Sequence, residues 1–400
     1  MIAKYRTEFN SRVSEALTAK VRAELERQSG CAIDFRIAET PLFLPKQVAA
    51  HVARSAEELL IHAASPELQE IGRQAIPPQW NVAGETSRPL FAAVDFAITG
   101  SADAPEFKLI ELQGFPSLYY YQAVFSEVTR DIYGLPSELN GLFHPELGLD
   151  AYYQLLKQAI ISTSDPSEVA LVETKPHEQK TKCDFYLAAK RLGIRIVDIA
   201  DIIAKDKQLL APDEHGILVP IKRIYNRAIA DELERKNVNL QFDIRKEYDV
   251  QWAGHPNWYF RISKILLPKL VGVNETVPNA YYVDEADIAS LDLSKFVLKP
   301  LYSFAGLGVN VSPTKEDIDR IPSEERHQWL LQEKVEYAEV IRTPDNNGVR
   351  AELRALCLWL PHWERPQAFH TLVRLTRGKM VGVDYNKGLD WVGSSCALIG

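Results

Sequence analysis

Apolar positions at steps of four, Phe9, Val13, Leu17, Val21 and Leu25, predict one amphipathic helix over residues 8–27. A second helix is predicted from Pro45 to about Ala64, where Val48, Val52, Ala56, Leu59 and Leu60 share a face. Pro77-Pro78 breaks this pattern, and past residue 89 the chain turns extended. Residues 90–98, LFAAVDFAI, read as a strand apolar on both faces with one carboxylate, Asp95, at its middle. A buried acid needs a partner. A second strand follows over residues 107–113, FKLIELQ, whose two-residue period puts Glu111 and Gln113 on one face. Gly114-Phe115-Pro116 then opens a helix with Leu118, Tyr121, Gln122, Phe125, Val128 and Ile132 on one stripe and Gly134 at its end. A Gly- and Pro-marked connector leads to another helix over about residues 151–161.

Residues 168–200 form one α/β unit: the strand EVALVE, a helix over about 178–192 stopped by Gly193, and the strand IRIVDI. Such alternation argues for a parallel sheet with helices on its faces. An apolar strand over 217–221 precedes RIYNRAIADEL, read as a helix start or turn that sets Arg223 and Arg227 four apart with Asn226 between them. That pair suits an anionic substrate; surface arginines answering Asp231 and Glu232 read equally well. Over residues 250–270, aromatics cluster with His255, Asn257, Arg261 and Lys264, either lining a pocket or packing at a domain junction.

In the C-terminal third, residues 295–313 read KFVLKPLYSFAGLGVNVSP, a short apolar strand closed by Lys299 and Pro300, a glycine-bearing loop and a returning strand. Small residues there let backbone amides approach a polyanion while Lys299 brings a point charge; the alternative is an ordinary hairpin with an outward lysine. The stretch matches neither GxxxxGK[ST] nor GxGxxG. Thr314 and Asp317 predict a capping box. Residues 329–335, WLLQEKV, predict a strand whose edge suits an adenine ring. Over residues 349–360, Ala351, Leu353, Ala355 and Cys357 point one way and Arg350, Glu352 and Arg354 the other, while His370, Arg374 and Thr376 share a face of the next strand. Two such strands make a polar wall. Asp95, Glu111 and Gln113 are able to cup a hard cation such as Mg²⁺, unless Asp95 is bonded locally and the other two simply face solvent. Asp384 and Asn386 share a face in the same manner.

Composition narrows the function classes. With 400 residues, 46% hydrophobic and 25% charged, the chain is long enough for a large core in two or three lobes. A formal net charge of -8 argues against a general grip on nucleic acid or an anionic membrane. Cys31, Cys183, Cys357 and Cys396 are far apart without a CxxC pair, so neither a zinc site nor a disulfide framework is expected. No apolar leader and no run of about 18 apolar residues is found, and the cytoplasm is the expected compartment.

Taken in order, FVLKPLYSFAGLGV, WLLQEKV, VRAELRALCLW and FHTLVRLTRGK resemble the lysine strand, adenine hinge and back-wall strands of the ATP-grasp fold. AAVDFAIT followed by FKLIELQGFPSLYYYQ is similar to the signature of glutathionylspermidine synthetase-like, rearranged (circularly permuted) ATP-grasp proteins, with Gln113 where that pattern has Asn. The resemblance implies an α/β (α+β) chain divided into an N-terminal helical segment (1–89), metal-ligand strands and helices (90–165), a pre-ATP-grasp-like α/β lobe (166–270) and a nucleotide-binding domain (271–400). It implies an ATP-dependent, ADP-forming carboxylate-amine ligase for a small molecule or short peptide. Lys299 would hold the α and β phosphates, Ser303, Gly306 and Gly308 would cover the γ-phosphate, and Mg²⁺ would sit on Asp95, Glu111 and Gln113. Arg354 and Arg374 would stabilise the acyl-phosphate, the backbone of Gln332, Glu333 and Val335 would take the adenine, and Arg223, Asn226, Arg227 and His255 would contact substrate. A non-permuted arrangement would use Asp384 and Asn386 as the metal pair instead. The rival expectations are a catalytically degenerate nucleotide- or peptide-binding protein and a small-molecule kinase. One long-range contact is predicted: the strand of Glu111 opposite Lys299.

Overall fold

A computed structural model describes residues 1–302, 308–378, 381–382 and 385–400. The helix expected over residues 8–27 is two: α1 (Ala3–Arg12) and α2 (Glu15–Ser29). Ser14 breaks them apart, extended at φ -152° and ψ 157°, its side chain accepting from the Leu17 amide as an N-cap. Strand β1 (Leu42–Leu44) leads to α3 (Lys46–Ala63), in the expected place, and α4 (Pro66–Gln74). The carboxylate strands are β2 (Phe91–Gly100) and β3 (Pro105–Gln113), followed by α5 (Tyr119–Ile132) and α6 (Gly148–Ile161). The α/β unit is β4 (Val169–Glu173), α7 (Lys182–Leu192) and β5 (Arg195–Asp198). A small antiparallel sheet, β6 (Ile203–Lys205), β7 (Gln208–Pro212) and β8 (Leu218–Ile221), precedes β9 (Arg223–Asn226) and β10 (Gln251–Ala253). The last third supplies β11 (Ala280–Tyr282), β12 (Phe296–Pro300), β13 (Trp329–Glu333), β14 (Glu339–Arg342), β15 (Gly348–Leu358), β16 (Gln367–Thr376), β17 (Gly393–Ser395) and β18 (Ala397–Ile399).

Three sheets position the site. The largest is antiparallel in the order β17-β16-β15-β2-β3, with β14 also paired to β15. The second is wholly parallel, β10-β9-β4-β5, as the βαβ alternation predicts. The third is antiparallel, β11-β13-β12. One face of the large sheet, with Val94, Phe96, Leu353, Ala355 and Val373, packs on Val52, Ala56 and Leu59 of α3. On the opposite face Ala93, Leu356 and Phe369 pack with Tyr119, Ala123 and Tyr152 of α5 and α6. Further along that second face the apolar residues stop and the charged ones begin. The N-terminal segment is tied into the rest, because β1 pairs with β18 in parallel and α2 packs on α5 and α7. Among the described residues no helix is long and apolar enough to cross a membrane.

Candidate functional site: a charged cleft between two sheets

Register decides which side chains meet. Across β3, β2, β15 and β16 the rows run Glu111–Asp95–Arg354–Leu372 and, two residues along on the same face, Ala97–Glu352–Arg374. A bulge on β3 beside Asp95 and Phe96 leaves Ile110 unpaired, so Leu109 opposes Phe96 on the apolar face while Glu111 opposes Asp95 on the polar one. Asp95 is fully buried. It accepts Arg354 Nε and Nη2, each at 2.6 Å, and Arg374 Nη2 at 2.9 Å. Arg374 also pairs with Glu352, whose other oxygen accepts the Tyr337 hydroxyl at 2.7 Å. Gln113 donates its amide nitrogen to Glu111 at 2.6 Å, as two side chains on one face of a strand permit.

The β11-β13-β12 sheet faces this wall. Gln332 accepts from Lys299 Nζ at 2.5 Å and donates to the Leu109 carbonyl at 3.1 Å, so one side chain orients the lysine and joins the two sheets. Leu109 N donates to the Thr276 carbonyl at 2.7 Å in the same seam. Burial lowers the pKa of Lys299, and Glu111 and Glu352 oppose that shift, so the predicted approach of the Glu111 strand to Lys299 is present. Lys264 is the second lysine of the cleft: burial brings its pKa down to about 8, again opposed by Glu111. Its placement follows from a close backbone approach. Gly114 N donates to the Ile262 carbonyl at 3.0 Å, and a Cβ on Gly114 would lie 2.0 Å from the Trp258 carbonyl oxygen, so glycine is required there.

The hairpin after Lys299 closes where expected, with Leu298 and Asn310 exchanging backbone bonds at 2.9 Å. Gly308 takes φ +74°, the left-handed region that glycine fills at no steric penalty. Ser303 and Gly306 lie outside the described residues, as does Asp384. Asn386 Oδ1 accepts from the Thr376 hydroxyl at 2.8 Å and from the Gly378 amide at 3.1 Å, which makes it the organiser of a turn.

Several expectations are corrected. β13 is the central strand of its sheet, paired to β11 and β12, so it has no edge for an adenine: Gln332 lies opposite both Val297 and Ala280, and Glu333 N donates to Asn279 O at 2.8 Å. Val335 lies just past the paired strand. Arg223 and Asn226 stand on strand β9, and the helix begins only at Ala230. Arg223 gives Nε to Ile160 O at 2.7 Å and Nη2 to Ala159 O at 2.9 Å, capping the C-terminal end of α6. Asn226 bonds the backbone of Ala228, and Arg227 donates to Pro116 O at 2.7 Å while lying over the Phe115 ring. His255 is buried between the Ala83 carbonyl and the Asn257 amide, and desolvation brings its pKa down to about 4, which leaves it without the charge an anionic substrate needs. Each of these four side chains thus makes hydrogen bonds within the protein.

The three expected metal ligands lie together but are engaged with protein groups. Asp95 has both oxygens bonded to guanidinium groups, Gln113 turns its nitrogen rather than its oxygen toward Glu111, and no group of three or more His, Cys, Asp or Glu able to hold a metal ion occurs among the described residues. The donors present do not fit Mg²⁺, which takes oxygen ligands in near-octahedral geometry. The charge balance of the cleft is basic. Lys264, Lys299, Arg354 and Arg374 outnumber Asp95, Glu111 and Glu352 by one charge, and Arg374 keeps Nε buried without a partner. Lys264, Glu352 and the Gln332 side chain carry this arrangement and had no assigned role in the sequence reading. Their signal was present in the polar face of β15 and in the basic residues after His255.

Compared with known proteins, no family model and no curated protein matches the chain. Among solved structures, the fold is similar to that of a glutathione synthetase-like effector from Globodera pallida in its apo form, with a TM-score of 0.57 at 10% sequence identity. The likeness covers 96% of this chain and 97% of that one, so it extends to every lobe. The chain has a glutathione synthetase-like α+β fold.

Proposed function

We propose that the chain is an ATP-dependent carboxylate-amine ligase of the rearranged ATP-grasp type, working in the cleft between Lys299 and the Asp95 wall. The observation that carries this is the Gln332 bridge that joins Lys299 to the Glu111 strand across two sheets, despite their distance in sequence, within a fold shared with a glutathione synthetase-like protein. ATP would lie with its phosphates on Lys299, Lys264 and the hairpin turn at Gly308, and its adenine near Val335. A substrate carboxylate attacks the γ-phosphorus and ADP leaves; an amine then attacks the acyl-phosphate carbon and inorganic phosphate leaves. Phosphoryl transfer of this kind needs positioned positive charge rather than a protein nucleophile. Arg374, partly exposed and tied to Asp95 and Glu352 through Nη2 alone, is the group that meets the developing charge, and Arg354 with Asp95 holds it in place.

The test is ADP release followed by a coupled assay over acids paired with amines, drawn from amino acids, short peptides and polyamines, with hydroxylamine added to trap acyl-phosphate. Hydroxamate formation that needs ATP and an acid supports the ligase; a stable phosphorylated product needing no amine selects the kinase. A second reading, nucleotide binding without turnover, is favoured by the saturated Asp95 and Glu352 carboxylates. Saturable ATP binding with no ADP from any acid selects it. Turnover that survives Lys299→Ala removes the role given to that lysine.

A further inference from the structure

We propose that this cleft takes its polyphosphate ligand without a divalent cation, Arg354 and Arg374 supplying on the Asp95 wall the positive charge a bound Mg²⁺ would otherwise bring. The inference rests on the nucleotide part of the reading above. Asp95 Oδ1 accepts Arg354 Nε, and Oδ2 accepts Arg354 Nη2 and Arg374 Nη2. Glu352 gives one oxygen to Arg374 and the other to the Tyr337 hydroxyl. Glu111 gives Oε1 to Gln113. A cation would therefore meet one carboxylate oxygen, Glu111 Oε2, outside these bonds, the least that Mg²⁺ binding draws on beside ligand phosphates and water. It would also meet Lys264, Lys299 and Arg374, all of which already act on Glu111. To win Asp95 it must strip a bidentate guanidinium from a residue with no solvent exposure to rehydrate the arginine or the acid. An anion meets none of these obstacles. Arg374 is 37% exposed at its side chain and holds both Asp95 and Glu352 through Nη2, so the exposed part of its guanidinium is able to add a phosphate bond without releasing either acid.

ATP is titrated calorimetrically into metal-stripped protein in excess EDTA, and again in millimolar Mg²⁺. The two dissociation constants are expected to agree within about threefold. Affinity more than tenfold tighter with Mg²⁺ overturns the proposal while leaving the nucleotide reading standing; no saturable binding in either buffer overturns both. A second readout uses Mn²⁺ as the probe by electron paramagnetic resonance. Wild-type protein with ATP is expected to show no protein-coordinated Mn²⁺, whereas Arg354→Met/Arg374→Met, which frees the Asp95 and Glu352 oxygens, is expected to acquire it. Mn²⁺ coordinated by the wild-type carboxylates overturns the proposal whether or not the double variant folds.

Discussion

Asp95 is the residue whose role separates a structural counter-ion from a metal ligand, and the two roles predict opposite stability effects. The perturbation is Asp95→Asn, alone and combined with Arg354→Met. In the folded chain Asp95 has no exposed side-chain surface and accepts three guanidinium bonds at 2.6, 2.6 and 2.9 Å, while Arg354 is 13% exposed. Removing the negative charge leaves Arg354 buried with no carboxylate of its own, a loss of about 3–5 kcal/mol for breaking a buried pair. Arg374 suffers less because it retains Glu352. Arg354→Met strands Asp95 on Arg374 alone and should cost a similar amount. The double variant leaves neither member of the pair as a stranded charge, so it should be more stable than the sum of the singles predicts by about 2–3 kcal/mol, the upper end of what residues in contact show. Urea unfolding followed by circular dichroism gives all four corners of the cycle, with the m-value checking that the unfolding unit has not changed. A cost below about 1 kcal/mol for Asp95→Asn, or additive single effects, refutes the counter-ion argument.

Other expectations follow from single features. Gly114→Ala puts a Cβ 2.0 Å from the Trp258 carbonyl oxygen and should destabilise the fold by several kcal/mol, roughly the scale of strained core insertions, as measured by the melting temperature; an unchanged melt means that the approach carrying Lys264 is not required. With a pKa of about 8, Lys264 is charged below that pH, so ATP affinity should weaken as pH rises from 7 to 9 and the dependence should flatten in Lys264→Arg. The same decline in the arginine variant would assign the titration elsewhere. Glu173 is buried at the end of β4 with its carboxyl pushed up to about 8, so between about pH 4.5 and 8 the folded chain binds more protons at this site than the unfolded one. Stability attributable to it should fall through that window by roughly 1.4 kcal/mol per pH unit, and Glu173→Gln should remove the fall; parallel curves for the two proteins would contradict it.

Much of the cleft was legible because its strands carry long, regular alternation. The two-residue period of FKLIELQ puts Glu111 beside Gln113, and the polar face of β15 announces Arg354 and Glu352. The capping box of Thr314 and Asp317 forms as a local signal should. What was hidden was non-local. The pairing of Asp95 with Arg354 joins residues 259 apart in sequence, and no local pattern says which of two buried groups will take an acid's oxygens. The bulge at Ile110 that aligns Glu111 with Asp95 is a one-residue event with no glycine to mark it. β11 has only three residues, too few for a periodic signal, and its pairing makes β13 central rather than an edge. The split of the first helix has a different cause. Apolar spacing ran through Ser14, whose capping chemistry outweighs periodicity over one residue.

The central claim is that Lys299 and the wall opposite it bind the phosphates of ATP, and calorimetric titration of ATP into wild-type and Lys299→Met protein tests it most directly. The account predicts saturable one-to-one binding by the wild type and at least about tenfold weaker binding by the variant, a loss of one charge-assisted phosphate contact, with the melting temperature preserved or raised because a partly buried, desolvated ammonium has been removed. Equal affinity in the two proteins, or no binding by the wild type, would contradict it.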